Sequence, residues 1–232
     1  EAWLAPEGAT PAHVEIDPNQ PFNIIYSSGT TGAPKGIVQP HKMRWGHVRR
    51  AETLGYGPDA ITVVSTPLYS NTTLVSLIPA LMRGGTVVLM RKFDARGFLA
   101  LSQKHRATHA MLVPVQYRRL MAEPRFDAFD LSAMRMKYCT SAPFAADLKA
   151  EVLRRMPGGL IEIYSMTEGG VVCLLAAHEF PDKLHTVGRP APGSELKVLD
   201  DEDCEVPPGT PGNLVGRSQT MMSGYQNQPE KT

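Results

Sequence analysis

Short apolar stretches rich in β-branched residues alternate along this chain with longer stretches whose apolar residues recur at helical spacing. The first pattern predicts buried strands and the second predicts amphipathic helices. The predicted strands are Phe22–Tyr26, Ile61–Ser65, Thr86–Met90, Thr108–Val113, Met134–Cys139 and Leu160–Tyr164. Helices are predicted after Pro40, up to Met82, after Asp94, from Pro114 to Met121 and from Ala145 to Met156. This alternation indicates an α/β fold with a largely parallel sheet and helices on both faces.

The pattern changes after Gly188. Glu195–Asp200 alternates apolar and polar positions, and the turn sequences Asp201–Asp203 and Pro207–Gly209 separate it from the short stretch Leu214–Arg217. Such a sequence predicts a small antiparallel β unit at the C-terminal end. We therefore expect a central α/β subdomain over residues 1–186, which carries the ligand sites, and a β-rich segment over residues 187–232.

Four polar segments follow predicted strands. They are the loop after Tyr26, Ser70–Thr73, Ser141–Pro143 and the segment after Tyr164. Ligands of open α/β sheets bind beyond the carboxyl ends of the strands. We therefore expect these four segments to meet at one edge of the sheet.

The composition argues against several classes of function. The chain has 232 residues, of which 42% are hydrophobic and 20% are charged, and its formal net charge is +1. This charge, without a block of lysine or arginine, gives no reason to expect a nucleic acid partner.

The cysteines and the apolar runs bear on where the protein is located. Cys139, Cys173 and Cys204 are widely spaced and odd in number, which favours the reduced thiols of a cytoplasmic protein. The longest apolar runs, Leu74–Met82 and Val171–Ala177, are too short to span a membrane. The sequence carries no signal for the oligomeric state.

The segment from Tyr26 to Gly36 concentrates groups that bind anions. It contains four serine and threonine hydroxyls, three glycines and one lysine. Glycine allows the backbone to approach a ligand closely, and N–H groups, hydroxyls and an ammonium together suit phosphate. A Walker P-loop does not fit, because Pro34 stands where its second glycine would be, and Gly29 and Gly32 are spaced wrongly for a dinucleotide-binding loop. An ordinary surface turn would explain the glycines but not the hydroxyls and the lysine.

A second segment, Tyr164–Gly170, contains the groups that a reaction of ATP requires. Its sequence is Tyr-Ser-Met-Thr-Glu-Gly-Gly. A loop glutamate supplies a hard oxygen ligand for Mg²⁺, a threonine donates to a phosphate, and a tyrosine offers a flat surface for adenine. Taken alone, these residues also fit a solvated loop glutamate and a core tyrosine.

The two segments resemble signature sequences of the adenylate-forming superfamily, which includes acyl-CoA synthetases, firefly luciferase and the adenylation domains of peptide synthetases. The resemblance covers residues 17–232 approximately and is greatest to fatty-acid or other carboxylic acid–CoA ligases. Ser141-Ala142-Pro143 resembles the family's Gly-Ala-Pro segment, and Val187–Pro190 and Met222–Tyr225 resemble two later landmarks that shape the fold. Ser165 stands where the family usually has glycine.

The resemblance implies a role for each motif residue. Thr30, Thr31 and Lys35 would hold the phosphates of ATP, Thr167 would contact the α-phosphate, and Glu168 would bind Mg²⁺. Of these, Lys35, Thr167 and Glu168 are the expected catalytic residues. The other expected nucleotide-binding residues are Ser27, Ser28, Gly29, Gly32, Ser141, Ala142, Pro143, Tyr164, Ser165 and Met166.

The same resemblance suggests which residues bind the acid. Tyr69, Ser70 and Asn71 stand where the family has its acyl gate, and Val115 and Gln116 follow Pro114 in a helix expected to line the acyl pocket. No acidic residue occurs in residues 61–91, whereas relatives that activate amino acids use one to pair with the substrate ammonium. We therefore expect an amine-free acid, whether fatty, alicyclic or aromatic. MgATP would convert it to an acyl-adenylate, and coenzyme A would then accept the acyl group as a thioester.

Other expectations concern the extent of the chain and the alternatives. The N-terminal part of the family's large domain and its C-terminal lid domain, which carries the adenylation lysine, are expected to lie outside this sequence. The chain by itself should therefore form adenylate poorly or not at all. A peptide-synthetase-type adenylation domain and an ATP- or AMP-binding module without catalysis remain open as alternative functions. Luciferase-type oxidation is a further alternative, one that would need an unusual substrate.

Overall fold

A computed structural model describes residues 5–27 and 34–232 of the chain. The strands are β1 (Pro21–Ser27), β2 (Lys35–Pro40), β3 (Ile61–Val64), β4 (Thr86–Leu89), β5 (His109–Leu112), β6 (Met136–Cys139), β7 (Gly159–Ser165), β8 (Val172–Ala176), β9 (Arg189–Pro190), β10 (Ser194–Leu199), β11 (Asn213–Ser218) and β12 (Gly224–Tyr225). The α-helices are α1 (His41–Ala51), α2 (Asn71–Met82), α3 (Ala95–His105), α4 (Pro114–Met121) and α5 (Ala146–Arg155).

A seven-stranded sheet in the order β4-β3-β5-β6-β7-β8-β9 forms the centre of the molecule. The first five strands are parallel, and β8 and β9 continue the sheet in antiparallel orientation. The predicted α/β fold with a largely parallel sheet is confirmed. The order reverses between β3 and β5, and such a reversal opens a crevice for ligands at the carboxyl ends of the strands.

Helices cover both faces of this sheet. Ala110 and Leu112 of β5 pack with residues of α3, α4 and α5 in the larger core cluster. Met111, the residue between them, packs on the opposite face with Ala51 at the end of α1 and Ala80 of α2. Successive residues of a strand point to opposite faces, so the continuous apolar sequence of β5 follows from burial on both sides.

The strands on either side of the anion-binding segment belong to a separate sheet. β1, β2 and β12 form a three-stranded antiparallel sheet, in which Ser27 is the register partner of Lys35. The prediction that this segment follows a strand of the parallel sheet is therefore wrong. β1 is also less buried than predicted, since Phe22, Ile24 and Tyr26 are exposed. A short apolar run does not reveal which sheet it joins, because its length and periodicity are the same in both cases.

The C-terminal segment contains the predicted antiparallel unit, formed by β10 and β11. Two further strands of this segment belong to other sheets, since β9 extends the central sheet and β12 pairs with β2. The predicted boundary at residue 187 stays a prediction. In the parts of the chain that the structure describes, no helix is long and apolar enough to cross a membrane.

A buried ion pair links α5 to the central sheet. Lys149 of α5 and Glu162 of β7 are in direct contact, with only 2% and 6% of their side chains exposed. Lys149 Nζ also donates to the carbonyl oxygens of Leu184 at 2.8 Å and Thr186 at 3.0 Å. Burial raises the pKa of Glu162, and the hydrogen bond from Lys149 opposes that rise. Each residue of this pair therefore supplies the counter-charge that the other needs when it is buried.

We predict that Lys149→Met lowers the free energy of unfolding by about 3 to 5 kcal/mol, because it leaves Glu162 buried without a counter-charge. Denaturant unfolding followed by circular dichroism measures the change. Lys197→Met is the matched control, since it breaks an ion pair with Glu205 that is well exposed on both sides, and its effect should be small. The double variant Lys149→Met/Glu162→Gln should recover part of the loss. Equal effects of Lys149→Met and Lys197→Met would contradict the prediction.

Candidate functional site

A cavity of about 610 Å³ lies at the carboxyl end of the parallel strands, on the face covered by α1 and α2. Its floor is the sheet, through Met111, Tyr138 and Ile163 of β5, β6 and β7. The first turns of α2 form one wall, and the segments that follow β6 and β7 form another. The remaining lining residues are Met43, His47, Arg50, Thr53, Leu54, Tyr56, Asn71, Thr72, Val75, Thr140, Ser141, Ser165, Met166, Thr167, Gly169, Val172, Leu174, Pro192 and Thr220.

This cavity brings together five residues that the sequence analysis assigned to ligands. They are Asn71, Ser141, Ser165, Met166 and Thr167. They come from three separate segments of the chain, and these segments are three of the four polar segments that were expected to meet at this edge of the sheet.

The other predicted acid-binding residues do not line the cavity. Tyr69 is 82% exposed and Ser70 precedes the first residue of α2. Val115 is 51% exposed. The amide of Gln116 is occupied by its own surroundings, because Oε1 accepts from the N–H of Val113 at 3.0 Å and Nε2 donates to a serine hydroxyl at 3.2 Å. A contact between these residues and the acid stays a prediction.

The predicted phosphate-binding residues fall partly outside the described residues. Ser28, Gly29, Thr30, Thr31 and Gly32 belong to residues 28–33, which the structure does not describe. Ser27 and Lys35 are described and stand opposite each other at the ends of β1 and β2. The antiparallel pairing of these strands holds the two ends of the segment together.

Lys35 and Glu168 are connected by a tyrosine. Lys35 Nζ lies 5.2 Å from the centre of the Tyr225 ring, and the Tyr225 hydroxyl donates to Glu168 Oε1 at 2.8 Å. Burial, followed by the hydrogen bond to Glu168, raises the pKa of Tyr225. The structure thus joins the lysine of the first motif to the carboxylate of the second. Tyr225 was assigned only to a landmark that shapes the fold, because the sequence gives no sign of its partner.

The backbone around Thr167 and Glu168 is fixed by close packing. Gly169 and Gly170 both have positive φ, and a Cβ atom on Gly169 would overlap the carbonyl oxygen of Thr220. The carbonyl oxygen of Glu168 accepts from the N–H of Met222 at 2.7 Å. Only glycine fits this approach at low cost, which explains the two glycines after the glutamate.

The two serines at usual glycine positions behave differently. Ser165 is the last residue of β7 and does not have positive φ, so a serine fits there without strain. Ser141 has φ of +80°, a conformation that costs a residue with a Cβ atom free energy and often marks a functional site. Its hydroxyl shares a 2.7 Å hydrogen bond with the Thr72 hydroxyl.

Three other predicted nucleotide-binding residues are exposed to solvent. Ala142 and Pro143 follow Ser141 and are exposed. Tyr164 lies near the end of β7 and is 45% exposed.

A buried polar network lies behind the cavity wall. Gln39 of β2 and Arg44 of α1 are 0% and 3% exposed. Gln39 Nε2 donates to the carbonyl oxygen of Thr167 at 2.8 Å and to Asn71 Oδ1 at 3.5 Å. Arg44 donates to Asn71 Oδ1 at 2.9 Å, to Asn23 Oδ1 at 3.1 Å and to Gln39 Oε1. Burial lowers the pKa of Arg44 to about 10, so the guanidinium remains charged at neutral pH.

The charge of the cavity wall is positive. Arg50 is the single charged side chain among the described lining residues, and no aspartate or glutamate is among them. His47 also lines the wall, and its pKa falls to about 3 because of burial and the nearby charges of Arg44 and Arg50. His47 is therefore neutral at physiological pH. Such a wall suits an anionic ligand better than a cationic one.

The described residues contain no cluster of three or more His, Cys, Asp or Glu side chains that would hold a metal ion by themselves. Glu168 uses Oε1 for Tyr225, and Oε2 has no hydrogen-bond partner among the described residues. One carboxylate with a free oxygen fits Mg²⁺, which usually binds through one or two carboxylates together with substrate phosphates and water. The residues present therefore fit a magnesium ion that arrives with ATP.

Sequence reasoning missed Gln39, Arg44 and Arg50, and it assigned Tyr225 only to a landmark of the fold. Arg44 and Gln39 carried a usable signal, since each is a polar residue next to an apolar residue that the structure buries, Met43 and Val38. A polar residue at a buried position requires partners. The sequence does not say which segments supply them.

Comparison with known proteins is consistent with this geometry. The family model described as AMP-binding enzyme matches residues 1–226. Feruloyl-CoA synthase from Amycolatopsis sp is 34% identical over 90% of this chain, and indoleacetate–CoA ligase from Aromatoleum aromaticum is 34% identical over 98%. The match spans only 43% and 45% of those two relatives, so the chain corresponds to less than half of their length.

A solved structure agrees over the complete chain. The amide bond synthetase McbA from Marinactinospora thermotolerans superposes with a TM-score of 0.89 at 32% identity, covering 100% of this chain and 47% of that protein. The strand order, the motif segments around the cavity and the matched family model lead to one conclusion. The chain belongs to the AMP-binding enzyme family, whose members include acid–CoA ligases.

Proposed function

We propose that this chain is the central part of an enzyme that activates a ring-bearing carboxylic acid with ATP and transfers the acyl group to coenzyme A. One observation carries the proposal. A single cavity brings Asn71 from the predicted gate, Ser141 and Thr167 together next to a positive wall without acidic side chains. This arrangement suits an apolar acid whose carboxylate lies near Thr167.

The residues of the chain would act by position and charge. The carboxylate attacks the α-phosphorus of ATP, forms the acyl-adenylate and releases pyrophosphate, and the thiol of coenzyme A then displaces AMP. Lys35 would offset the charge of pyrophosphate, and Thr167 would donate to the α-phosphate as charge develops there. Magnesium, held by Glu168 when bound, would supply further neutralisation of the phosphates. Tyr225 keeps Lys35 and Glu168 near each other.

An aromatic or other ring-bearing acid is a more specific proposal than the fatty acid named first. The sheet floor of the cavity, formed by Met111, Tyr138 and Ile163, offers an apolar surface, on which flat rings pack well. The names of the feruloyl and indoleacetate relatives refer to ring-bearing acids. The absence of a carboxylate among the described lining residues disfavours an amino acid, because a buried ammonium would lack a partner.

A second candidate differs only in the acyl acceptor. The name of the amide bond synthetase that superposes on all of this chain refers to amide formation, so an amine could take the place of the thiol. The two acceptors are distinguished by offering the acyl-adenylate both coenzyme A and a primary amine and identifying the product by mass spectrometry.

The free thiols of Cys139, Cys173 and Cys204 support a cytoplasmic location for either reaction.

The motif residues are tested in a chimera in which this chain replaces the matching segment of the Amycolatopsis feruloyl-CoA synthase. We expect acid-dependent ATP–pyrophosphate exchange, and we expect Lys35→Ala and Glu168→Gln each to reduce it about 100-fold, as loss of a charge-stabilising group does. Glu195→Gln is the control, because Glu195 pairs with Arg217 at an exposed position of β10. Full exchange by the motif variants would contradict the assigned roles.

The 232-residue chain alone should form acyl-adenylate at least about 100-fold more slowly than the chimera. The reason is that positioning the reacting groups supplies much of the rate, and more than half the length of the relatives has no counterpart in this chain. Trapping the adenylate with hydroxylamine measures both rates. Comparable rates would show that residues 1–232 contain all the groups that the reaction needs.

The preference for the acid is tested with two matched pairs in the exchange assay. We expect 3-phenylpropanoate to support exchange at least about 100-fold better than phenylalanine, which differs by one ammonium group that the cavity wall cannot pair. We also expect it to exceed hexanoate, which is apolar but has no ring. Preference for phenylalanine would favour the peptide-synthetase-type function, and preference for hexanoate would favour a fatty acid. Binding of ATP without exchange for any acid would favour the non-catalytic module.

A further inference from the structure

The orientation of the Asn71 side chain is determined by its buried neighbours. Asn71 Oδ1 accepts hydrogen bonds from Arg44 Nη1 at 2.9 Å and from Gln39 Nε2 at 3.5 Å. A guanidinium group has donors only. The atom of Asn71 that faces Arg44 must therefore be the oxygen, and the reverse orientation would oppose two sets of N–H donors. The NH₂ group of Asn71 consequently points away from Arg44.

The two N–H donors of this NH₂ group have no acceptor among residues 5–27 and 34–232. Asn71 also lines the cavity. Its carbonyl end is thus used by the protein, and its NH₂ end is available to a ligand. An amide that is fixed in this way presents donors to the cavity and no acceptor.

The position of Asn71 relative to Thr167 places these donors near the reacting end of the acid. Gln39 Nε2 contacts both Asn71 Oδ1 at 3.5 Å and the carbonyl oxygen of Thr167 at 2.8 Å. One buried nitrogen therefore holds the two cavity residues beside each other. Thr167 is the residue proposed to contact the α-phosphate, which the carboxylate of the acid attacks.

We propose that Arg44 and Gln39 are positioning residues that hold the Asn71 amide with its NH₂ group toward the cavity, where it donates a hydrogen bond to the carboxylate of the acid. This inference rests on the proposed function, because it assumes that the cavity receives the acid. A carboxylate accepts hydrogen bonds and does not donate them. An asparagine that could rotate freely would offer the oxygen as often as the nitrogen, and the buried Arg44 removes that freedom.

The burial of Arg44 is in keeping with this role. Its guanidinium is 3% exposed, and its described hydrogen-bond partners are the neutral amides of Asn23, Gln39 and Asn71. A buried charge without an opposite charge costs stability, and such groups are retained where they fix one arrangement among several. A carboxylate placed next to Arg44 would therefore be tolerated by the folded protein.

The test is Asn71→Asp, measured by calorimetric titration of the 232-residue chain with ferulate and with its carboxamide. The variant keeps an oxygen for Arg44 but replaces the NH₂ donors with a second oxygen. We expect the affinity for ferulate to fall about 10- to 100-fold, as the loss of a hydrogen bond to a charged group predicts. The carboxamide carries its own N–H donors, so it should bind N71D at least as well as it binds the wild type. The melting temperature should stay the same or rise, because the new carboxylate pairs with Arg44.

Asn23→Asp is the matched control. Asn23 accepts from the same guanidinium at 3.1 Å but does not line the cavity. It adds the same charge beside Arg44 and leaves the Asn71 amide in place, and Gln39 Oε1, which loses a 3.2 Å hydrogen bond from Asn23 Nδ2, still accepts from Arg44. We expect the affinity for ferulate to change less than about twofold. Arg44→Met tests the positioning role, since an amide that is free to rotate should lose most of the preference for ferulate over its carboxamide.

The outcomes separate this inference from the proposed function. Wild-type affinity for ferulate in N71D, or an equal loss in N23D and N71D, would overturn the role of the Asn71 amide while the cavity remains the acid site. A wild-type preference for the carboxamide over ferulate would overturn it as well. If neither the wild-type chain nor the chimera described above bound ferulate or indoleacetate, the cavity would not be the acid site, and the proposed function would fail together with the inference.

Discussion

The hydrogen bonds of Arg44 and Gln39 connect the parts of the chain that form the site. Strand β1, the start of α2 and the segment after β7 are far apart in sequence, yet the two side chains bind residues from all three regions. Both are almost completely buried. Because an unpaired buried polar group is costly, this network has few alternative arrangements. It therefore sets the distance between the antiparallel sheet and the cavity.

The two sheets contribute different residues to the candidate site. The parallel sheet ends in loops whose polar groups converge at one edge, and these loops provide Ser141 and Thr167. The antiparallel sheet brings Lys35 to the same region through the pairing of β1, β2 and β12. β12 contains Tyr225, so the strand that completes this sheet also carries the hydroxyl that binds Glu168. The fold thus couples the lysine and the carboxylate through one strand.

The sequence predicted what depends on local patterns. Alternating strands and helices gave the parallel sheet, Asp94 was expected at the start of a helix and its side chain accepts from the N–H of Gly97, and the β10–β11 unit followed from turn residues. The membership of β1 in a separate sheet was not predictable, because pairing between strands that are distant in sequence produces no periodic pattern in the local sequence. The same holds for the contacts of Arg44 with Asn23 and Asn71 and of Tyr225 with Glu168, which join residues 21, 27 and 57 positions apart in sequence.

The electrostatics of the site are compatible with the two anionic substrates that we propose. Lys35 lies over a tyrosine ring, Arg44 is bonded to neutral amides, and Arg50 has a long contact of 3.4 Å with the Thr220 hydroxyl. Within residues 5–27 and 34–232, none of the three forms an ion pair, and Glu168, the carboxylate near Lys35, is engaged by Tyr225. Burial lowers the pKa of Arg44 and of Arg50, because a buried guanidinium loses hydration of its charge. ATP and a carboxylate would supply the missing negative charge. Binding of the proposed substrates would then give these charges partners.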